Sequence, residues 1–207
     1  MNGWCLIISG APDCFVPMSY NKAEYVIACD RGYMHAVRAK IVPNLVIGDF
    51  DSYDGTIPPG IEILKYTAEK DDTDTMIALK KGLSLGYRQF ILIGAMGGRK
   101  DHELANMALA VYAAENGAIC HIVDAHHQIF ALKNRTMNVD RSCWNRISIF
   151  AADRSVKGVT LKGFKYNLKD AELNNFYPLG TSNEFTEDTA EITVKDGTLL
   201  VVLTDID

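Results

Sequence analysis

Four aspartates in two short stretches carry the strongest chemical signal in this chain. In NLVIGDFDS (44–52), Asp49 and Asp51 bracket Phe50 directly after the apolar run Leu45, Val46, Ile47 and a breaking Gly48. In KDDTD (70–74), Asp71 and Asp74 stand three apart, on one face of a helix start. Converging carboxylates repel: two like charges ~4 Å apart cost roughly 4 kcal/mol at an effective dielectric of about 20. A hard cation such as Mg²⁺ removes that cost, binding through a few carboxylates together with waters and substrate phosphates. D-x-D followed by D-x-x-D therefore points to a magnesium–phosphate site. The plainer alternatives are a solvated turn at Asp49 and Asp51 and helix capping by Asp71 or Thr73, since acids favour a helix N-terminus.

A third stretch, GAMGGRKDHELAN (94–106), has the composition of an anion-binding turn. Gly94, Gly97 and Gly98 let the backbone approach a ligand closely, and the helix that follows offers free N–H groups and a positive end. Arg99 adds a planar donor fork suited to phosphate oxygens. Asp101 has three candidate tasks: capping the helix, holding Arg99, or binding a metal. His102 and Asn106, four apart, share a helix face. The pattern G-x-x-x-x-G-K-[ST] is absent from the sequence, which excludes the P-loop class on its motif.

The elements that must position these residues alternate in the first half. WCLIIS, YVIACD (25–30), NLVIGD, IEILKY (61–66), QFILIGA (89–95) and AICHIVDA (118–125) read as strands. GYMHAVRAK (32–40), DTDTMIALKKGLSLG (72–86) and DHELANMALAVYAAENG (101–117) read as helices. Apolar strands alternating with amphipathic helices indicate an α/β layer with a mainly parallel sheet. Ligands gather at the carboxyl ends of such strands, where Asp30, Asp49 and Asp51 stand. After about residue 126 the pattern turns to short β-branched runs, with VKDGTL read as a hairpin carrying an Asp-Gly turn. The expected architecture is an α/β domain over 1–125 followed by a small β-sandwich over 126–207.

Composition narrows the class. Of 207 residues 48% are hydrophobic and 23% charged, ordinary for a globular chain, and the net charge of -5 argues against a nucleic-acid binder. An anionic ligand stays open if metal ions or local arginines cancel the charge. The five cysteines (Cys5, Cys14, Cys29, Cys120, Cys143) form no C-x-x-C pair, and no secretory signal is apparent. The odd count and the lack of a signal favour reduced thiols in a cytoplasm. No membrane-spanning run is expected. His121, His126 and His127 lack cysteine or acid partners at metal spacing and read as strand-end residues.

Taken together and in this order, the stretches resemble the thiamine pyrophosphokinase family. The matching pieces are ACDRGYMHAV, PNLVIGDFDS, KDDTDTMIAL, GAMGGRKDHELANMALA, IVDAHHQIFAL and GFKYNLKDAELNNFYPLGTSNEF, from near residue 28 to residue 185. The resemblance implies transfer of the pyrophosphoryl group of ATP to the hydroxyl of thiamine, giving thiamine pyrophosphate and AMP. It implies a homodimer with the active site shared across the subunit interface. By the same resemblance Asp49, Asp51, Asp71 and Asp74 hold Mg²⁺ and the ATP phosphates, while Arg99, Asp101, His102 and Asn106 complete the site with Gly97, Gly98 and Asp30. Tyr166, Thr181, Ser182 and Asn183 fall on the segments that contact thiamine.

The chain departs from the family pattern at Arg31, where glycine is more common, at Asn44 in place of aspartate, and at Tyr166 in place of a stacking tryptophan. A tyrosine face still attracts a cationic thiazolium, and sandwich core is the plainer alternative for Tyr166 and for Trp144. Two other classes compete with the kinase reading. One is a magnesium-dependent phosphohydrolase with Asp49 or Asp51 as nucleophile; the other is a catalytically silent thiamine or nucleotide sensor.

Overall fold

The apolar runs of the first half become a parallel sheet. The computed structural model describes residues 3–12, 14–48, 57–65 and 71–206. Its first strands are β1 (Cys5–Ile8), β2 (Tyr25–Cys29), β3 (Leu45–Gly48), β4 (Glu62–Lys65), β5 (Gln89–Ile93) and β6 (Ile119–Val123), ordered β6-β5-β1-β2-β3-β4. β1 runs parallel to both β2 and β5, β2 to β3, and β3 to β4. Every residue of β1 and β3 is buried, as expected for parallel strands covered on both faces. β4 is the exposed edge, and its Glu62 and Lys65 suit a position where unpaired backbone must be kept from other strands.

Among the described residues three α-helices follow strands: α1 (Gly32–Arg38), α2 (Asp74–Ser84) and α3 (Lys100–Glu115). α2 buries Thr75, Ala78, Leu79 and Gly82, a stripe at helical spacing. Gly82 allows α2 to lie directly on β5, because a Cβ there would come within 2.4 Å of the Phe90 ring. Thr73 caps α2, its hydroxyl accepting the Met76 N–H at 3.2 Å, so the helix expected over 72–86 begins at Asp74. In α1, buried His35 donates from Nε2 to the Ala11 carbonyl at 2.9 Å, tying down the loop that leaves β1.

The chain divides into two compact units. The first comprises Met1–Leu109 and Cys120–Ala125; the second comprises Ala110–Ile119 and His126–Asp207, so the second half of α3 groups with the later residues. The second unit holds β7 (His127–Lys133), β8 (Thr136–Asp140), β9 (Arg146–Ala151), β10 (Val156–Lys162), β11 (Leu168–Leu173), β12 (Asn183–Glu184), β13 (Thr189–Thr193) and β14 (Thr198–Thr204). They form two antiparallel layers, β12-β9-β14-β7 and β11-β10-β13-β8. Phe130, Ile149 and Val201 of one layer share a core with Val159, Leu161 and Ile192 of the other, so the unit is a sandwich. Trp144 packs against this core.

VKDGTL is a reversal but not a hairpin: β13 pairs with β8 and β10, whereas β14 pairs with β7 and β9. The Asp-Gly turn carries the chain from one layer to the other, with Gly197 N–H donating to Asn134 Oδ1 at 2.8 Å. A turn signal specifies where the chain reverses; burial decides the pairing. Here Ala190 and Ile192 of β13 and Leu199, Val201 and Leu203 of β14 are buried in one core from opposite layers.

Among the described residues no helix is long and apolar enough to cross a membrane. All five cysteines are free thiols.

Two histidines of the first unit make its stability depend on pH. Burial pushes His121 down to about 4, and burial also lowers His35. The unfolded chain binds these protons near pH ~6.5, so between the two values it holds protons the folded state lacks. Stability is therefore full above about pH 6.5 and declines as pH falls toward 4, with His121 alone costing about 2 kcal/mol by pH 5. Denaturant unfolding at pH 7 and pH 5 measures this, and His121→Gln should flatten most of the difference. An unchanged pH dependence in that variant would refute the assignment.

Candidate active site

The carboxyl ends of β1, β2 and β5 and the starts of α2 and α3 surround one cleft of about 450 Å³. That is within the roughly 300–1,000 Å³ of small-molecule sites. Ser9–Pro12, Asp30 and Arg31 line it, as do Thr73–Thr75, Ala95, Gly98, Arg99, His102, Glu103 and Asn106. The structure thus brings together Asp30, Asp74, Gly98, Arg99, His102 and Asn106. Asp71 lines a separate shallow depression beside Asp72 and Lys80. Asp49 and Asp51 lie outside the described residues.

Asp30 sits at the end of β2 with a φ of 46°, its N–H donating to the Ile47 carbonyl at 2.8 Å. Its carboxylate occupies the space above Gly48, where a Cβ would fall 2.2 Å from Oδ1. Glycine at the end of β3 is therefore what admits this acid. Arg31 explains its own departure from the family pattern: its φ of -59° is ordinary helical backbone, so the unusual angle is borne by Asp30. The Arg31 side chain adds a cation to the cleft rim.

Asp74 opens α2, half-buried, and its carbonyl accepts from the Cys29 thiol at 3.5 Å. Next to it runs a relay whose inner members, Thr75 and Asn106, are buried. Thr73 and Thr75 hydroxyls lie 3.1 Å apart, Thr75 donates to Asn106 Oδ1 at 3.0 Å, and Asn106 Nδ2 donates to the Ala95 carbonyl at 2.8 Å. Since Thr75 gives its one hydroxyl proton to Asn106, Thr73 is the donor to Thr75, and its oxygen also accepts the Met76 N–H. Asn106, expected to bind the cofactor, lines the cleft and directs its amide to this relay.

The glycine turn also differs from expectation. The N–H groups of Gly97 and Gly98, expected to face a phosphate, both donate to Glu103 Oε1, each at 3.1 Å. The reason is local: Glu103 sits in the first turns of α3, where its carboxylate can reach back to the free backbone donors. Its other oxygen accepts from Lys100 at 2.9 Å. The Lys100 ammonium holds the Glu103 carboxyl below its ordinary value, with the two glycine N–H groups adding to the shift.

Of the three tasks open to Asp101, the hold on Arg99 is formed in this structure. The guanidinium donates Nε to Oδ1 at 3.1 Å and Nη2 to Oδ2 at 2.5 Å. Each keeps the other charged: the Arg99 hydrogen bond lowers Asp101, and the Asp101 hydrogen bond raises Arg99. Both are exposed to solvent, so the pair adds little stability but fixes the fork.

The residues expected to contact thiamine lie in the second unit. Buried Asn183 accepts the Tyr166 N–H at 3.0 Å and donates to the Tyr166 carbonyl at 2.8 Å, so it anchors that backbone. The Tyr166 ring is 62% exposed and is not core. Lys165 lies 5.7 Å from its centroid while pairing with Glu184, so one cation already attends the ring. Thr181 donates to the Pro178 carbonyl at 3.0 Å, and Ser182, with a φ of 58°, donates its N–H to Ser148 Oγ at 3.0 Å.

Among the described residues no three His, Cys, Asp or Glu side chains gather as a metal cage. The donors at the cleft are carboxylates, a set suited in kind to a hard cation such as Mg²⁺. Sequence reasoning missed Thr75 and Glu103. A Thr-x-Thr cap and an acid in the first helical turns were the available signals.

Known proteins agree with both units. Residues 17–122 match the family model described as thiamin pyrophosphokinase, catalytic domain, and residues 134–199 the one described as thiamin pyrophosphokinase, vitamin B1 binding domain. The chain is 27% identical over 205 residues to a thiamine pyrophosphokinase of Bacillus subtilis (strain 168), covering 95% of this chain and 96% of that protein. The crystal structure of a B. subtilis thiamine pyrophosphokinase superposes with a TM-score of 0.89 at 23% identity, covering 99% and 100% of the two chains. A thiamin pyrophosphokinase of Geobacillus thermodenitrificans gives 0.85 at 26% identity, covering 99% and 98%.

The relay makes a specific demand. Thr75→Val keeps the shape but leaves buried Asn106 Oδ1 without its donor, at a cost of about 1–3 kcal/mol. Denaturant unfolding should show that loss, with Thr75→Ser close to wild type. Equal stability of all three proteins would contradict the relay.

Proposed function

The chain belongs to the thiamin pyrophosphokinase family, and on that premise we propose how its residues divide the transfer of a pyrophosphoryl group from ATP to thiamine. The thiamine hydroxyl attacks the β-phosphorus; the bond from that phosphorus to the α-phosphate oxygen breaks, its electron pair leaves with AMP, and the hydroxyl proton passes to solvent. Such transfers need positioning and charge neutralisation more than covalent help.

Asp49, Asp51, Asp71 and Asp74, with Asp30, form the carboxylate set for Mg²⁺. When bound, the cation would hold the ATP phosphate oxygens at these acids and offset their charge. What supports the reading is the seat of Asp30 over Gly48 beside Asp74, at the sheet end where this fold gathers ligands. Arg99, kept in orientation by Asp101, faces the transferring group, with Arg31 as a second cation on the cleft. Gly98 and His102 line the nucleotide's path, and Asn106 holds the walls. Tyr166, Thr181, Ser182 and Asn183 receive thiamine, in a homodimer whose interface completes the site. Exposed Phe176 and Tyr177 near them in sequence, 76% and 64% exposed, are the kind of surface a partner covers. The free thiols favour a reducing cytoplasm.

The test is a product assay with ATP, Mg²⁺ and thiamine, run on wild type and Asp51→Asn. Wild type should form thiamine pyrophosphate and AMP in equal amounts, both lost on chelation, and the variant should be folded but inactive. Phosphate release without thiamine would favour the hydrolase, no product would favour the sensor, and an active variant would remove Asp51 from the metal set.

A further inference from the structure

We propose that Glu103 is a positioning residue of the transfer, holding the Gly97–Gly98 turn so that Arg99 faces the nucleotide. The proposal rests on the reading above and adds a residue that reading does not use. Three hydrogen bonds carry it: Gly97 N–H and Gly98 N–H to Oε1, each at 3.1 Å, and Lys100 Nζ to Oε2 at 2.9 Å. The residue is 8% exposed although it lines an open cleft.

An acid at the mouth of an anion-binding cleft calls for an explanation, because it repels the ligand. Lys100 neutralises its charge, and the start of α3 favours it electrostatically. The Glu103 N–H donates to the Arg99 carbonyl at 3.0 Å, so Arg99 is gripped from both sides. Its backbone is fixed by the first helical bond, and the two residues before it are fixed by the carboxylate. Its side chain is held by Asp101. Two consecutive glycines have the largest conformational freedom of any dipeptide, and without a tie the guanidinium would swing over many positions. The carboxylate removes that freedom before the nucleotide arrives, the general route by which preorganisation raises affinity.

Glu103→Ala and Glu103→Gln separate this from a merely structural role. Glu103→Ala should raise KM for Mg·ATP by about tenfold while KM for thiamine stays near wild type. Glu103→Gln should recover most of the loss, because an amide oxygen still accepts both N–H bonds. Wild-type kinetics in Glu103→Ala would overturn the proposal, and so would a lower KM for Mg·ATP, which would make the carboxylate a competitor for the phosphate site. Amide exchange at Gly97 and Gly98 reads the tie without turnover. Protection lost in Glu103→Ala and kept in Glu103→Gln is expected. Equal protection in all three proteins would overturn the tie whatever reaction the wild type performs, whereas an inactive wild type with the expected protection would count against the transfer reading alone.

Discussion

The hydrogen-bonded relay from Thr73 through Thr75 and Asn106 to the Ala95 carbonyl is the constraint on which the cleft depends. It links three elements that share no strand pairing: the start of α2, the loop leaving β5, and the body of α3. Thr75 and Asn106 are both buried, and a buried polar group left unpaired costs about 1–3 kcal/mol. A shift of any one element therefore breaks bonds in the other two. Asp74 at the head of α2 and the glycine turn before Arg99 inherit that rigidity. The cleft walls are set by a few satisfied polar atoms within an otherwise apolar packing of helices on a sheet.

Charge is managed at the same place. A parallel sheet ends its strands in loops with free backbone groups, and this chain fills those ends with acids. Asp30 is admitted by the missing side chain at Gly48, and Glu103 is neutralised by Lys100 and two backbone donors. Arg99 is held in its charged, forked orientation by Asp101. Each acid at the rim thus has either a fixed counter-group or a place in the carboxylate set that we assign to Mg²⁺. An acidic lining also suits thiamine, whose charge is permanent and positive.

Much of this was legible in the sequence because it is local. Continuous apolar runs such as Cys5–Ile8 announce buried parallel strands, and the helical spacing of DTDTMIALKKGLSLG announces α2. What escaped depends on distance in space. The role of Glu103 follows from the bend of the chain around Gly97 and Gly98, which no spacing rule contains. The bond from Asn106 to a threonine 31 residues away is invisible to spacing, because a polar residue on a helix face carries the same signal whatever it meets. The Asp-Gly turn at residues 196–197 reads as a hairpin because the reversal is local, while the choice of layer is made by the sandwich core. The short strands β8 and β11 carry no clear apolar alternation, TMNVD and LKDAEL, so their sequences do not announce them.

The most direct test of the account is calorimetric binding of α,β-methylene-ATP, an analogue that cannot be cleaved at the reacting bond. Wild type is compared with the double variant Asp30→Asn, Asp74→Asn, each with and without Mg²⁺. The account predicts binding that requires Mg²⁺ in the wild type and weakens by at least about tenfold, ~1.4 kcal/mol, in the variant. Equal affinity in both proteins, or binding indifferent to Mg²⁺, would contradict the assignment of this cleft to the metal-bound nucleotide.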